Sequence, residues 1–300
     1  MLTNFFSTTK PVNSVFIILL FACYTVASYY TGNINNLNFG FSLWFLLLFG
    51  LVNFVNSRNG LTFDNSFFFL IFVILLGYFP SVLKIDNFFY SNLVLVIYLR
   101  RVYSLQSKKN VIKKLFDSGL WIGVSFLIEP FSIVFFPLTF LSITMYQHID
   151  FRRLFTPILG SSVPLILYFT YLFWYNNTDE FLNLFTWSFT FDFTIYDALV
   201  NKLLLSFSGL LTFIALTLKS PKALAVKNLF RKSWILIFFH FITAILLVIL
   251  VQNRTGSEIL YLLFPSALII ANGFELFQKK WFADFILLLI FSGSILVYFL

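Results

Sequence analysis

Charge is scarce in this chain. Only 11% of its 300 residues are Asp, Glu, Lys or Arg, while 60% are apolar. A soluble domain carries about 25% charged and about 45–50% apolar residues. Too little polar surface is present to cover the chain in water, which excludes an ordinary soluble enzyme and a disordered chain. Cysteine is nearly missing as well. Cys23 is the only one, so an internal disulfide framework and a thiolate metal site are ruled out. It lies inside the first apolar run, which is read as a retained helix, and is expected to be a small buried residue there. Histidine is rare: His148 is expected in a loop, and His240, within an apolar run, as a hydrogen-bonded core residue. Two separated histidines make no metal motif. Walker, dinucleotide, His-Glu-x-x-His and G-x-S-x-G patterns are all absent. Neither metal nor cofactor is implied.

What the chain has is apolar sequence. It contains 45 Phe, and its mean hydropathy is +0.91. The solvent for most of it is lipid. A spanning helix needs about 20 apolar residues. Candidate spans are 12–29, 39–55, 67–83, 156–175, 203–218, 234–251, 259–273 and 285–300, with a shorter one at 88–99. The stretch 119–146 is interrupted at Glu129-Pro130, because proline removes a backbone donor and clashes with the preceding turn. It divides into 119–128 and 131–146, and the first half is too short to cross at about 1.5 Å per residue. A broken hairpin is expected. With the N-terminus inside, seventeen of the twenty basic residues fall in inside loops, and only Lys84, Lys202 and Arg254 lie outside. A single crossing at 119–146 would put the 219–232 cluster outside, against the positive-inside rule. The expectation is an all-α polytopic membrane protein of about eleven segments, N-terminus in and C-terminus out. Residues 1–300 are expected to form one integral membrane domain. The basic loops serve orientation and meet anionic headgroups. No nucleic-acid role is expected, since no binding fold accompanies them.

The longest stretch outside the spans is 176–201, which carries four acids and no basic residue. From Phe185 to Ile195, aromatic and apolar residues alternate strictly with Thr186, Ser188, Thr190, Asp192 and Thr194. Alternation signals an extended strand, and Trp187 equally suits a short interfacial helix at headgroup level. Glu129 is the most suggestive acid, because a carboxylate at membrane depth faces a cavity or a partner. Arg254 has donors that suit phosphate, and Glu258 and Tyr261 follow it at helical spacing. An Arg254–Glu258 surface pair is the plain alternative. Glu129, Trp187, Asp192, Arg254 and Glu258 are the candidate binding residues; none is assigned to catalysis.

Gly119-Leu-Trp-Ile-Gly123 after a basic loop, the break at Glu129-Pro130, Phe136-Pro137, and Tyr261-Leu-Leu-Phe-Pro265 after Arg254 resemble parts of the GT-C-type membrane glycosyltransferases that use polyprenyl-phosphate sugars. That resemblance implies a GT-C-like helical bundle and a lipid-linked substrate. Those enzymes carry a catalytic acid in a large first outside loop. Here that loop, 30–38, is short and has no acid, so the resemblance implies a scaffold that binds without catalysing. The chain also resembles Phe- and Asn-rich uncharacterised inner-membrane proteins of Bacteroidetes. The expected function is therefore in cell-envelope biogenesis, with a polyprenyl phosphate or similar membrane lipid held between Arg254, Glu129 and the aromatic segment at Trp187. The alternatives are a secondary transporter, suited by broken helices and a membrane acid, and a structural subunit that pairs its outside segment with a partner membrane protein.

Overall fold

A computed structural model describes residues 2–34, 38–147, 149–188, 191–225, 229–277 and 279–299. The readings of His148, Phe189, Thr190 and Lys227 lie outside the described residues. Thirteen α-helices are found among the described residues: α1 Leu2–Phe6, α2 Pro11–Tyr30, α3 Phe39–Asn59, α4 Phe67–Tyr78, α5 Asn87–Tyr103, α6 Val111–Ile128, α7 Pro137–Tyr146, α8 Phe151–Trp174, α9 Thr178–Asn183, α10 Leu199–Ala225, α11 Leu229–Leu250, α12 Leu260–Phe274 and α13 Lys280–Leu296. Short 3₁₀ turns join several of them, and no strand occurs among the described residues. Six helical stretches are long and apolar enough to cross a membrane: Pro11–Tyr30, Phe39–Asn59, Phe151–Trp174, Leu199–Ala225, Phe230–Leu250 and Ser257–Phe274. The remaining expected segments fall on shorter or more polar helices.

The chain forms two compact units. The first holds residues 1–85, 192–237 and 254–300. Its centre is α4, in which every residue is buried. A twelve-residue helix spans only about 18 Å, and α4 is enclosed by α2, α12 and α13. Tyr78 at its end donates to the Ile290 carbonyl at 2.8 Å, and Tyr24 shares a 2.6 Å bond with Ser294. These bonds satisfy tyrosine hydroxyls where no water reaches them. Cys23 departs from expectation: it is exposed on α2. A helix wall that faces lipid needs no protein cover, so a small apolar residue in a membrane span need not be inside.

The second unit holds residues 86–191 and 238–253. The break at Glu129-Pro130 is present. Glu129 is extended (φ −140°, ψ 103°), a 3₁₀ turn runs Pro130–Phe135, and α7 begins at Pro137. However, α6 starts at Val111 rather than near Gly119, so it is 18 residues long. Helix propensity carries it through Lys113 and Lys114, which an apolar-run criterion excludes. Along α6 and α8 the backbones nearly touch. A Cβ built on Gly119 would lie 2.0 Å from the Pro157 carbonyl oxygen, and one on Gly160 would lie 2.2 Å from that of Phe116. Hydroxyl bonds lock α5 to its neighbours: Ser91 with Ser125 at 2.9 Å, and Tyr98 to the Phe135 carbonyl at 2.7 Å. His240 behaves as expected. It is 1% exposed, and its Nδ1 bonds Tyr103 Oη at 3.0 Å.

Candidate functional site

Three of the five candidate residues converge in the first unit. Their placement starts with Gly256. Its φ of +86° suits a residue without Cβ, and a Cβ there would meet Ser81 Oγ at 2.7 Å. The turn is stitched to the end of the α4 segment: Ser81 Oγ donates to the Gly256 carbonyl at 3.2 Å, and Ser257 Oγ donates to the Ser81 carbonyl at 3.2 Å. This brings Glu258 inward. It is fully buried, which corrects the reading of an Arg254–Glu258 surface pair. Its carboxylate accepts a short hydrogen bond from Tyr196 Oη and a 3.1 Å bond from the Thr255 N–H. A buried carboxylate requires such donors.

The partner segment is shaped by Asp192. Its Oδ1 accepts the Thr194 N–H at 2.9 Å, a local turn that leads into the 3₁₀ turn Thr194–Tyr196, whose Tyr196 meets Glu258. The Arg254 guanidinium lies 4.1 Å from the centre of the Phe193 ring and donates through Nη1 to the Asp192 carbonyl. Stacking on an aromatic face fixes the plane of its donors. The Thr194 N–H and hydroxyl, and then the charge of Arg254, hold the exposed Asp192 carboxyl below its ordinary range. Burial, then the negative charge of Glu258, pushes the Tyr196 hydroxyl up, so it remains a donor.

The other two candidates lie in the second unit. Glu129 ends α6, where its N–H bonds the Ser125 carbonyl and its own carbonyl accepts the Ser132 N–H, both at 2.9 Å. Trp187 lies 5.9 Å, ring to ring, from Phe131, two residues past Glu129, and its Nε1 donates to the Leu184 carbonyl. Phe185 lies against Phe126 at 5.4 Å. The described part of the alternating run is neither strand nor amphipathic helix. Residues 186–188 and 191–193 are irregular, followed by the 3₁₀ turn.

Two features were missed in the sequence. Tyr196 continues the polar phase of the alternation, two places after Thr194, and its hydroxyl marked it as a side chain seeking a polar partner. The second is Lys219. The sequence places it in a basic loop, yet it sits in α10 and pairs with Glu275 at 3.0 Å, each side chain 5% exposed. Glu275 also accepts the Phe63 N–H at 2.9 Å and Asn65 Nδ2 at 3.0 Å, while Lys219 Nζ lies 5.1 and 5.4 Å from the Phe63 and Phe230 rings. No group of three His, Cys, Asp or Glu that could hold a metal occurs among the described residues.

Residues 1–300 match the family of unknown function DUF6427. No curated protein and no solved structure matches the chain.

Proposed function

The chain belongs to the DUF6427 family, and from that premise we propose that it is a multi-pass protein of a bacterial inner membrane that holds a lipid-linked phosphate for cell-envelope biogenesis without transferring it. Eleven segments, with the N-terminus inside and the C-terminus outside, place Arg254 and Asp192 at the outer membrane face. The observation that carries the reading is the Arg254 guanidinium, laid on Phe193 and hooked to the Asp192 carbonyl. A planar donor set held in one orientation at the headgroup level matches a phosphate. Glu258 and Tyr196 brace the loop that carries it. The first outside loop lacks an acid, so the protein presents its lipid to another enzyme. Mass spectrometry of lipids that co-purify with the protein tests this. Unaltered protein retains a polyprenyl phosphate, Arg254→Ala loses it, and Arg254→Lys keeps less because a point charge replaces the fork. Equal retention by all three would remove the reading.

The full burial of Glu258 favours a second reading, proton-coupled transport. Proteoliposomes with an imposed pH gradient would then show flux that Glu258→Gln abolishes.

A further inference from the structure

Membrane orientation explains why the cations of this chain sort to one side. It does not explain where their side chains converge. In the second unit a cavity of about 450 Å³ is lined by Lys108, Lys113, Arg152 and Arg153, with Asp150 and Asn110. Lys108 precedes α6, Lys113 lies in its first turn, and Arg152 and Arg153 open α8, so the cations come from two regions far apart in sequence; one carboxylate opposes them. Other cations between residues 100 and 114 are used differently. Arg101 pairs with Asp117 at 2.9 Å, and Lys114 donates to the Ser104 carbonyl at 2.6 Å. This region thus divides its charge between internal ties and one concavity. Cations gathered around a hollow raise the local positive potential and draw anions to it. The first turns of α6 and α8 border the same hollow, and helix starts add positive potential. No aromatic residue lines it among the described residues, which gives no platform there for a nucleic-acid base.

We propose that the cavity walled by Lys108, Lys113, Arg152 and Arg153 is a phosphate site that recognises a phosphomonoester, either on a lipid headgroup or on a soluble molecule. Arginine supplies the paired donors and lysine the point charges. The proposal does not depend on the reading given to Arg254.

Full-length protein in phosphatidylcholine nanodiscs tests the proposal with two probes. One is inorganic phosphate, followed by calorimetry. The other is phosphatidic acid added to the nanodisc, followed by native mass spectrometry. Lys113→Gln/Arg152→Gln removes two cavity charges. Lys109→Gln/Lys222→Gln removes two charges at residues that do not line the cavity. The expected result is binding of at least one probe, weakened about tenfold or more in the first variant and unchanged in the second. Binding of both probes, with phosphate displacing phosphatidic acid, assigns the site to the phosphate group itself. Binding of phosphatidic acid alone assigns it to lipid. Failure of the unaltered protein to bind either probe overturns the proposal, whatever the variants' stability. So does equal weakening in both variants, since that is the response of a diffusely basic surface.

Discussion

Lys219 and Glu275 show how much one residue pair can cost when half of it is removed. Both are nearly enclosed, and Glu275 also serves Phe63 and Asn65. Lys219→Met strands a buried carboxylate and is expected to destabilise the protein by about 3–5 kcal/mol. Lys219→Met/Glu275→Gln should recover much of that, because the amide oxygen still accepts from Phe63 and Asn65 and no charge is stranded. Denaturant unfolding in detergent would measure both. Asp192 gives a test by pH. Its carboxyl is held low chiefly by the Thr194 N–H. A carboxyl depressed on folding stabilises the fold above its unfolded pKa, near 3.9, and loses that contribution as pH falls through the lower folded value. A carboxyl-carbon NMR titration should therefore place the Asp192 midpoint below that of a free aspartate, and Arg254→Ala should raise it part of the way. A midpoint at the free value would show that the Thr194 N–H bond to Asp192 does not form. At this scale the sequence was partly legible. Arg254 and Asp192 stood out because charge is scarce around them. Glu258 was visible but misplaced, and Glu275 was hidden, since burial depends on chain segments remote in sequence.

Among the elements, α6 and α8 carry the sharpest constraint. Gly119 and Gly160 face opposing carbonyl oxygens, and backbone cannot swing aside as a side chain can. Gly119→Ala and Gly160→Ala should each cost about 1–3 kcal/mol as the helices are forced apart. Gly209 in α10 is the contrast, with nothing within 4 Å of its Cβ position. Gly209→Ala should be neutral or stabilising by up to about 1 kcal/mol through helix propensity. Thermal unfolding of the three variants would separate these outcomes. The interruption at Glu129-Pro130 was legible because proline acts locally. The interlock was not, because Gly119 and Gly160 mean nothing until their helices are brought together. The start of α6 was missed for another reason: lysines end an apolar run without ending a helix. The alternation from Phe185 to Ile195 misled, because period two marks a strand only where a second strand can pair with it.

For the molecule as a whole, the prediction concerns sidedness. A phosphatase reporter joined after residue 300 should be active, and one joined within residues 107–110 should not. The reverse pattern would invert the eleven-segment topology. The Lys219–Glu275 pair adds a consequence for how such a chain is made. The two residues are 56 positions apart, so at roughly 5–20 residues per second the lysine leaves the ribosome about 3–11 s before its counter-charge. Until then its ammonium group must remain in water or among headgroups. It lies near the end of a 27-residue helix, long enough at about 40 Å to reach beyond the hydrocarbon. In the eleven-segment topology proposed above, the helix enters the bilayer early but settles late, when the junction of α12 and α13 closes over it. Synthesis order thus makes the later segment around Glu275 the latch for a helix made well before it.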